Sequence, residues 1–184
     1  GVTFGGVFCF VSLAAWPAER AMAADPFQTR IDQVVEAAGP GALAPVASDA
    51  EFLRRVSLDL GGRIPTAAEA RAFLDDASPD KRTALVDRLL ASPQHAQHMA
   101  ALFDIALMER RADKSVPAVE WRKYLVESFA VNKPWDTLAR EILVSDGSDP
   151  ALRPAAKFYL DRDGEPNLLT RDISRVFFGM DVQC

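Results

Sequence analysis

Helix-starting signals recur along almost the whole chain, and they restrict its fold more than any other feature of the sequence. Each pairs Ser, Thr or Asp with Pro at the first helical position or with an acid three residues on: Asp25-Pro26, Ser48 with Glu51, Thr66 with Glu69, Ser78-Pro79-Asp80 and Ser92-Pro93. A short oxygen-bearing side chain there accepts a hydrogen bond from a first-turn amide that no helical carbonyl can reach. Pro is tolerated because its missing N–H would be unpaired anyway. Stop signals answer these starts at Gly39-Pro40-Gly41, Gly61-Gly62, Asn132-Lys133-Pro134 and Gly179. No run alternates apolar and polar residues for long enough to require a sheet, although Phe158-Tyr159-Leu160 could pair locally. The expected fold class is all-α: a compact domain of about seven or eight helices, preceded by a signal-peptide helix.

Between these signals apolar residues return at three-to-four spacing, which marks one face of a helix as core. The expected inward sets are Ile31, Val34 and Val35; Phe52, Leu53, Val56 and Leu60; Ala70, Phe73 and Leu74; and Ala84, Leu85, Leu89 and Leu90. Further along come Met99, Leu102, Phe103 and Ala106; Trp121, Tyr124, Leu125 and Phe129; and Trp135, Leu138, Ile142 and Leu143. A final helix from about Pro166 to Phe178 turns Leu169, Ile173, Val176 and Phe177 inward. The charged stretch Glu109 to Lys114 reads as a solvated helix exit and loop. Ser145 to Pro166, rich in Gly, Asp and Pro, reads as a long loop or boundary around one apolar island. No repeat of fixed period occurs, which argues against a solenoid.

Val2 to Trp16 is almost wholly apolar, stops at Pro17 and leads to the A-x-A site Ala21-Met22-Ala23. Residues 1–23 therefore read as a secretory signal peptide and 24–184 as the helical domain of an exported protein, periplasmic or at the cell surface. The apolar run falls short of the ~20 residues that span a bilayer, so no stable transmembrane anchor is expected. Gly1 and the lack of a basic segment ahead of the run read as a start whose first codons are missing. Val7, Phe8 and Phe10 around Cys9 are not the small residues of a lipoprotein cleavage site. The formal charge of -5 survives loss of the leader, because Glu19 and Arg20 cancel. A mildly acidic chain is a poor partner for nucleic acid, and none is expected. With the leader removed, Cys184 is the sole cysteine, so no internal disulfide staples the domain and stability must come from helix packing.

Candidate chemistry is sparse. His95 and His98, three apart near a helix start, could face one metal or haem iron, but no carboxylate or cysteine accompanies them in a metal-site pattern. Asp161, Asp163 and Glu165 alternate as in an acidic calcium loop, yet Pro166 stands where the EF-hand needs Gly and Asp172 where it needs a bidentate Glu. An acidic turn is the better reading. Asp75 and Asp76 are adjacent, point in different directions on a helix and cannot flank one bond. Trp121, Tyr124 and Trp135 at helical spacing read as core rather than as a sugar-stacking platform. No nucleophile elbow, phosphate loop, dinucleotide fingerprint or H-E-x-x-H motif occurs, so no catalytic residue is assigned.

Several unlike segments nevertheless fall in a familiar order. Asp49-Ala50-Glu51-Phe52-Leu53-Arg54-Arg55-Val56-Ser57-Leu58-Asp59-Leu60-Gly61-Gly62-Arg63-Ile64-Pro65-Thr66 is followed by Ser78-Pro79-Asp80-Lys81-Arg82 and Leu85-Val86-Asp87-Arg88-Leu89-Leu90-Ala91-Ser92-Pro93. Then come Asn132-Lys133-Pro134-Trp135, Arg140-Glu141-Ile142-Leu143 and the closing Phe177-Phe178-Gly179-Met180-Asp181-Val182-Gln183-Cys184. Over roughly residues 26 to 184 the chain resembles the cytochrome-like domain of unknown function, of PSCyt type, found in large exported planctomycete proteins. It departs from the common pattern at Gly61-Gly62, where a Thr often intervenes, and at His95, where an aromatic residue is usual. In that family the closing stretch continues into C-x-x-C-H. The resemblance thus implies that Cys184 is the first cysteine of a cofactor-binding motif, that the chain is the amino-terminal piece of a longer protein, and that downstream domains are its partners. The motif could attach haem c for electron transfer with a redox partner. It could equally hold a structural metal such as zinc in a non-redox binding or scaffolding module, for example one for cell-surface polysaccharide.

Overall fold

The computed structural model describes residues 27–39 and 44–182. The proposed leader, the Asp25-Pro26 helix start and Cys184 lie outside the described residues. Every regular element among the described residues is an α-helix, and there are nine. The chain divides after Val46 into two units. The first contains α1 (Phe27–Ala38), whose apolar residues Ile31, Val34 and Val35 are 45%, 69% and 57% exposed rather than inward as their spacing suggested. Periodicity shows that a helix has an apolar stripe, but not that anything covers it.

The second unit, residues 47–184, holds α2 (Asp49–Gly61), α3 (Ala67–Asp75), α4 (Lys81–Leu90), α5 (Pro93–Met108), α6 (Ala118–Ala130), α7 (Trp135–Val144), α8 (Lys157–Leu160) and α9 (Pro166–Phe178). Three of the start signals, at Ser48, Thr66 and Ser92, act as read, whereas α4 begins only at Lys81, after Ser78-Pro79, and Asp80 makes no side-chain cap. Ser48 Oγ accepts from Glu51 N at 3.3 Å. Thr66 and Glu69 form a full reciprocal capping box, and Ser92 Oγ accepts from His95 N at 3.2 Å with Pro93 at the first helical position. In α9 the capping residue is Glu165, whose carboxylate accepts from the amides of Asn167 and Leu168 at 3.3 and 2.6 Å. Such a carboxylate both satisfies free amides and opposes the positive end of the helix dipole.

Two hydrophobic clusters organise this unit. The smaller joins Leu53 of α2, Phe73 of α3 and Leu85 of α4, with Phe52, Val56, Ala70 and Leu89 packed around them. The larger joins α5 to α9 through Ala100, Leu107, Met108, Trp121, Tyr124, Leu125, Leu138, Ile142, Ala155, Phe158 and Leu169. The inward face of α5 differs from the expected one. Ala96, Ala100 and Leu107 are buried with Phe103 partly so, while Leu102 is 46% exposed and Ala106 faces solvent. This helix is apolar nearly all round, so spacing alone cannot select a face. The small Ala96 and Ala100 let α5 approach its neighbours closely, and that choice depends on partner shape. Ala84 and Leu90 of α4 and Leu74 of α3 are likewise exposed.

Gly62 shows why α2 must stop where it does. Its φ of 68° lies in the left-handed region, and its N–H returns to Leu58 O at 3.0 Å. A methyl group placed on it would sit 2.4 Å from Nδ1 of His98 on α5. The neighbouring His95 brings Nδ1 to 2.9 Å from Leu60 O. The two histidines thus seat α5 against the end of α2, and only a residue without a side chain fits beneath them.

Two loop readings are corrected by packing. Ser145 to Pro166 is not a boundary: it carries α8, and Ala155, Ala156, Lys157 and Phe158 are at most 1% exposed. The apolar island forms a helical turn rather than a strand. Nor is Glu109 to Lys114 simply a solvated exit, because Arg111, Asp113 and Lys114 reach across to the segment around α8 and α9. The stretch is polar in sequence because it supplies ion-pair partners.

Candidate functional site

The densest polar arrangement among the described residues surrounds α8 and the start of α9. Lys157, Asp161, Arg162 and Asp172 are 1%, 3%, 2% and 0% exposed. Burying four charges is tolerable only if each is paired and hydrogen-bonded. Lys157 Nζ donates to Asp161, to Asp113 Oδ1 at 2.9 Å and to Val116 O at 2.6 Å, using all three of its protons. Asp161 Oδ1 accepts from the amides of Ser115 and Val116 at 2.9 and 3.3 Å. Arg162 donates Nε to Asp172 Oδ2 at 2.8 Å and its two terminal nitrogens to Phe158 O and Leu107 O, each at 2.8 Å. Its guanidinium also lies 3.9 Å from the centroid of the Phe158 ring. Asp172 takes further bonds from Arg111 and Arg171 at 3.1 Å each, while Arg175 pairs with Glu109.

This network fixes three separate parts of the chain, the loop after α5, the turn of α8 and the first half of α9, around shared charges. Burial opposes ionisation of Asp161 and of Asp172, but hydrogen bonds from Lys157 and the Ser115 amide to the first, and from Arg162 and Arg171 to the second, prevail. Both carboxyls are held below the usual range. On Lys157 burial acts in the opposite sense and is again outweighed, by Asp161 and Asp113, so its pKa is raised. Glu69, bonded to Arg63 and to Thr66, is lowered to about 2. Burial also resists the charge on Glu141, yet Lys133 and the Tyr124 hydroxyl, each 2.6 Å away, keep it below the ordinary range.

A pH dependence follows. A carboxyl with a depressed folded pKa contributes stability that is fully present above its unfolded value and is lost as pH falls through the folded one. Urea midpoints are therefore expected to stay flat from about pH 7 to 5 and to fall steeply between about pH 4 and 2. A midpoint that declines already between pH 7 and 6 would contradict this, because the carboxyls of Glu69, Glu141, Asp161 and Asp172 are held below their ordinary range.

The residues singled out from sequence are dispersed by the fold. His95 and His98 are engaged at the α2–α5 junction, as above. Asp161 is buried against Lys157, whereas Asp163 lies at the surface with Lys114 Nζ at 2.6 Å, Glu165 caps α9 and Asp172 binds arginines. Asp161 and Asp163 do lie in a turn, 161–164, as read, but the Asp161 carboxylate is an internal ion-pair partner, as is that of Asp172 within α9. Asp75 and Asp76 are exposed at the end of α3. Trp121 is 0% exposed and donates Nε1 to Asp104 Oδ1 at 3.0 Å, and Tyr124 is 8% exposed. Trp135 stands apart at 50% exposure. Sequence reasoning missed Lys157, Arg162 and Arg111. Its available signal was a lysine abutting the apolar island with an acid four residues on, the spacing that stacks two side chains on one helix face. Among the described residues no group of three or more His, Cys, Asp or Glu is placed to hold a metal ion.

A second feature lies at the far end of α9. Trp135 packs its ring 6.1 Å from Phe177 and 5.3 Å from Phe103, and Phe177 in turn meets Phe158 at 5.8 Å. Gly179, with φ 65°, ends the helix, and the chain continues through Phe178, Met180 and Val182, which are 65%, 54% and 36% exposed. An apolar, aromatic surface thus accompanies the segment that leads to Cys184.

The sequence matches, over residues 30–184, the profile of the family described as PSCyt2, Protein of unknown function (DUF1549). The chain belongs to this family. The PSCyt2 match begins within α1 and spans the buried ion network, the aromatic surface and Cys184. No curated protein and no solved structure matches the chain. No helix among the described residues of this PSCyt2 member is long and apolar enough to cross a membrane.

Proposed function

We propose that this chain is the amino-terminal helical module of a larger exported protein that carries electrons through a covalently attached haem c, with Cys184 supplying one thioether. The C-x-x-C-H motif implied by the family resemblance would provide the second thioether and the axial imidazole after it. The observation that carries this reading is the apolar surface beside the thiol-bearing tail. Half-exposed Trp135, together with Phe178, Met180 and Val182, borders the segment two residues short of Cys184. A porphyrin is a large apolar plate, and a flank rich in apolar and aromatic side chains suits it. When bound, the haem would supply one-electron chemistry. The chain's own part would be to anchor α9, after which the segment bearing the thiol follows, through the buried ion network, and to exclude water from one face.

The test is the full-length exported protein produced in a host competent for haem attachment. A Soret band that survives denaturation and solvent extraction is expected. Cys184→Ala is expected to leave one vinyl group unreacted and so to shift the reduced pyridine-haemochrome band to longer wavelength. A colourless protein holding one equivalent of zinc would overturn the reading in favour of a non-redox binding or scaffolding module with a structural metal.

A further inference from the structure

The arginines around Asp172 outnumber the carboxylates they share. Asp172 accepts from Arg162 Nε at 2.8 Å and from Arg111 and Arg171 at 3.1 Å each, with Arg175 Nη2 3.7 Å away. Glu109 bridges Arg111, at 3.1 Å, and Arg175. Four guanidiniums thus meet two carboxylates, which leaves two positive charges unbalanced within these contacts. Arg162 is sealed in, but the side chains of Arg111, Arg171 and Arg175 are 28%, 49% and 48% exposed, so the surplus faces outward.

Two further observations single out this corner. Arg111 reaches both carboxylates through the same terminal nitrogen, Nη2, while its Nε is buried and has no acceptor among the described residues. An unmet buried donor costs free energy, and a partner that draws the side chain outward onto its own acceptor would relieve that cost. In addition, α5 ends in two successive non-glycine residues with left-handed backbone, Glu109 at φ 51° and Arg110 at φ 59°. A residue with a Cβ adopts that conformation only when its surroundings hold it there, and here the Glu109 carboxylate ties Arg111 to Arg175. Arg110 itself is exposed and adds a further cation at the same corner.

We propose that this corner, where the end of α5 meets α9, docks an acidic segment of a partner protein, whose carboxylate side chains pair with Arg111, Arg171 and Arg175. Arg171 and Arg175 lie one turn apart on α9, with about 6 Å between Cβ atoms, so acids four apart on a partner helix or two apart on a strand can meet both. A compact dianion such as phosphate suits the corner less well. Asp172 and Glu109 bridge the guanidiniums and would repel it, whereas separate carboxylates can each take the outer edge of one fork. The whole chain carries a charge of -5. At 0.1 M salt, however, exposed charges more than about 10 Å apart are largely screened, so the local surplus governs docking and fixes its orientation. No cofactor at Cys184 is required.

The experiment is an amide-resolved NMR titration of the chain at low salt with hexaglutamate, and with hexaglutamine and inorganic phosphate as controls. Hexaglutamate is expected to shift amides around Arg111, Arg171 and Arg175 saturably and to lose affinity as salt is raised, with hexaglutamine leaving those amides in place and phosphate binding more weakly. The double variant Arg171→Gln with Arg175→Gln leaves Asp172 paired with Arg162 and Arg111, so it should fold, which far-ultraviolet circular dichroism checks. It should bind hexaglutamate about ten-fold more weakly, because an exposed ion pair is worth up to about a factor of five. Arg110→Gln leaves both carboxylates and their arginines in place and should weaken binding by about two-fold. Shifts that do not saturate, hexaglutamine binding equal to that of hexaglutamate, phosphate binding as tightly as the acidic peptide, or an affinity unchanged in the folded double variant would each overturn the proposal.

Discussion

Asp172→Ala is expected to lower the unfolding free energy by about 3–5 kcal/mol, measured by urea denaturation followed by far-ultraviolet circular dichroism. The size follows from what the substitution leaves behind rather than from what it removes. Arg162, 2% exposed, would lose the carboxylate at 2.8 Å that balances its charge while its guanidinium stayed among Leu107, Phe158 and Met108. Burial already pushes the Arg162 pKa below its ordinary value, which marks the cost that Asp172 offsets. The double variant Arg162→Met with Asp172→Leu separates charge from volume. Replacing a buried pair by apolar groups of similar size is often nearly neutral, so the double variant should recover most of the loss. An Asp172→Ala effect below about 1 kcal/mol would mean that water reaches Arg162, and that the network does not anchor α9.

Trp121→Ala is expected to cost about 3–5 kcal/mol as well, through the cavity left by a fully buried indole. Its ring is 0% exposed, stacks on Tyr124 with centroids 5.8 Å apart, and ties α6 to α5 through Asp104. Truncation would also leave Asp104 without that donor. Trp135→Ala provides the contrast: at half exposure it should cost well under half as much, because much of its surface is in water in the folded state already. Thermal midpoints of the two variants, measured side by side, decide the matter. Equal losses would show that Trp135 belongs to the core rather than to the surface flanking the tail.

The contrast between these tryptophans also shows where spacing stops informing. Both follow Pro117 or Pro134 in helices whose inward faces are otherwise read correctly, since Leu125, Leu138 and Ile142 are all buried. Spacing places a residue on a stripe about a third of the helix circumference wide. Whether its edge is covered depends on the neighbouring helix.

Local chemistry was enough for the sequence to determine the helices: a hydroxyl or carboxylate at the right offset satisfies first-turn amides, and Gly or Pro ends what has begun, whatever else surrounds the segment. Thr66 with Glu69, Ser92-Pro93, Gly62 and the span of α9 from Pro166 to Phe178 were all legible for that reason. Only the tertiary structure decided which polar residues are interior. Lys157, Arg162 and Asp172 look like surface residues in any short window, and they become buried because their partners come from segments up to 61 residues apart, as in the bond between Arg111 and Asp172. Coulombic pairing in a poorly polarisable interior is a long-range property of the folded chain, and no local periodicity encodes it.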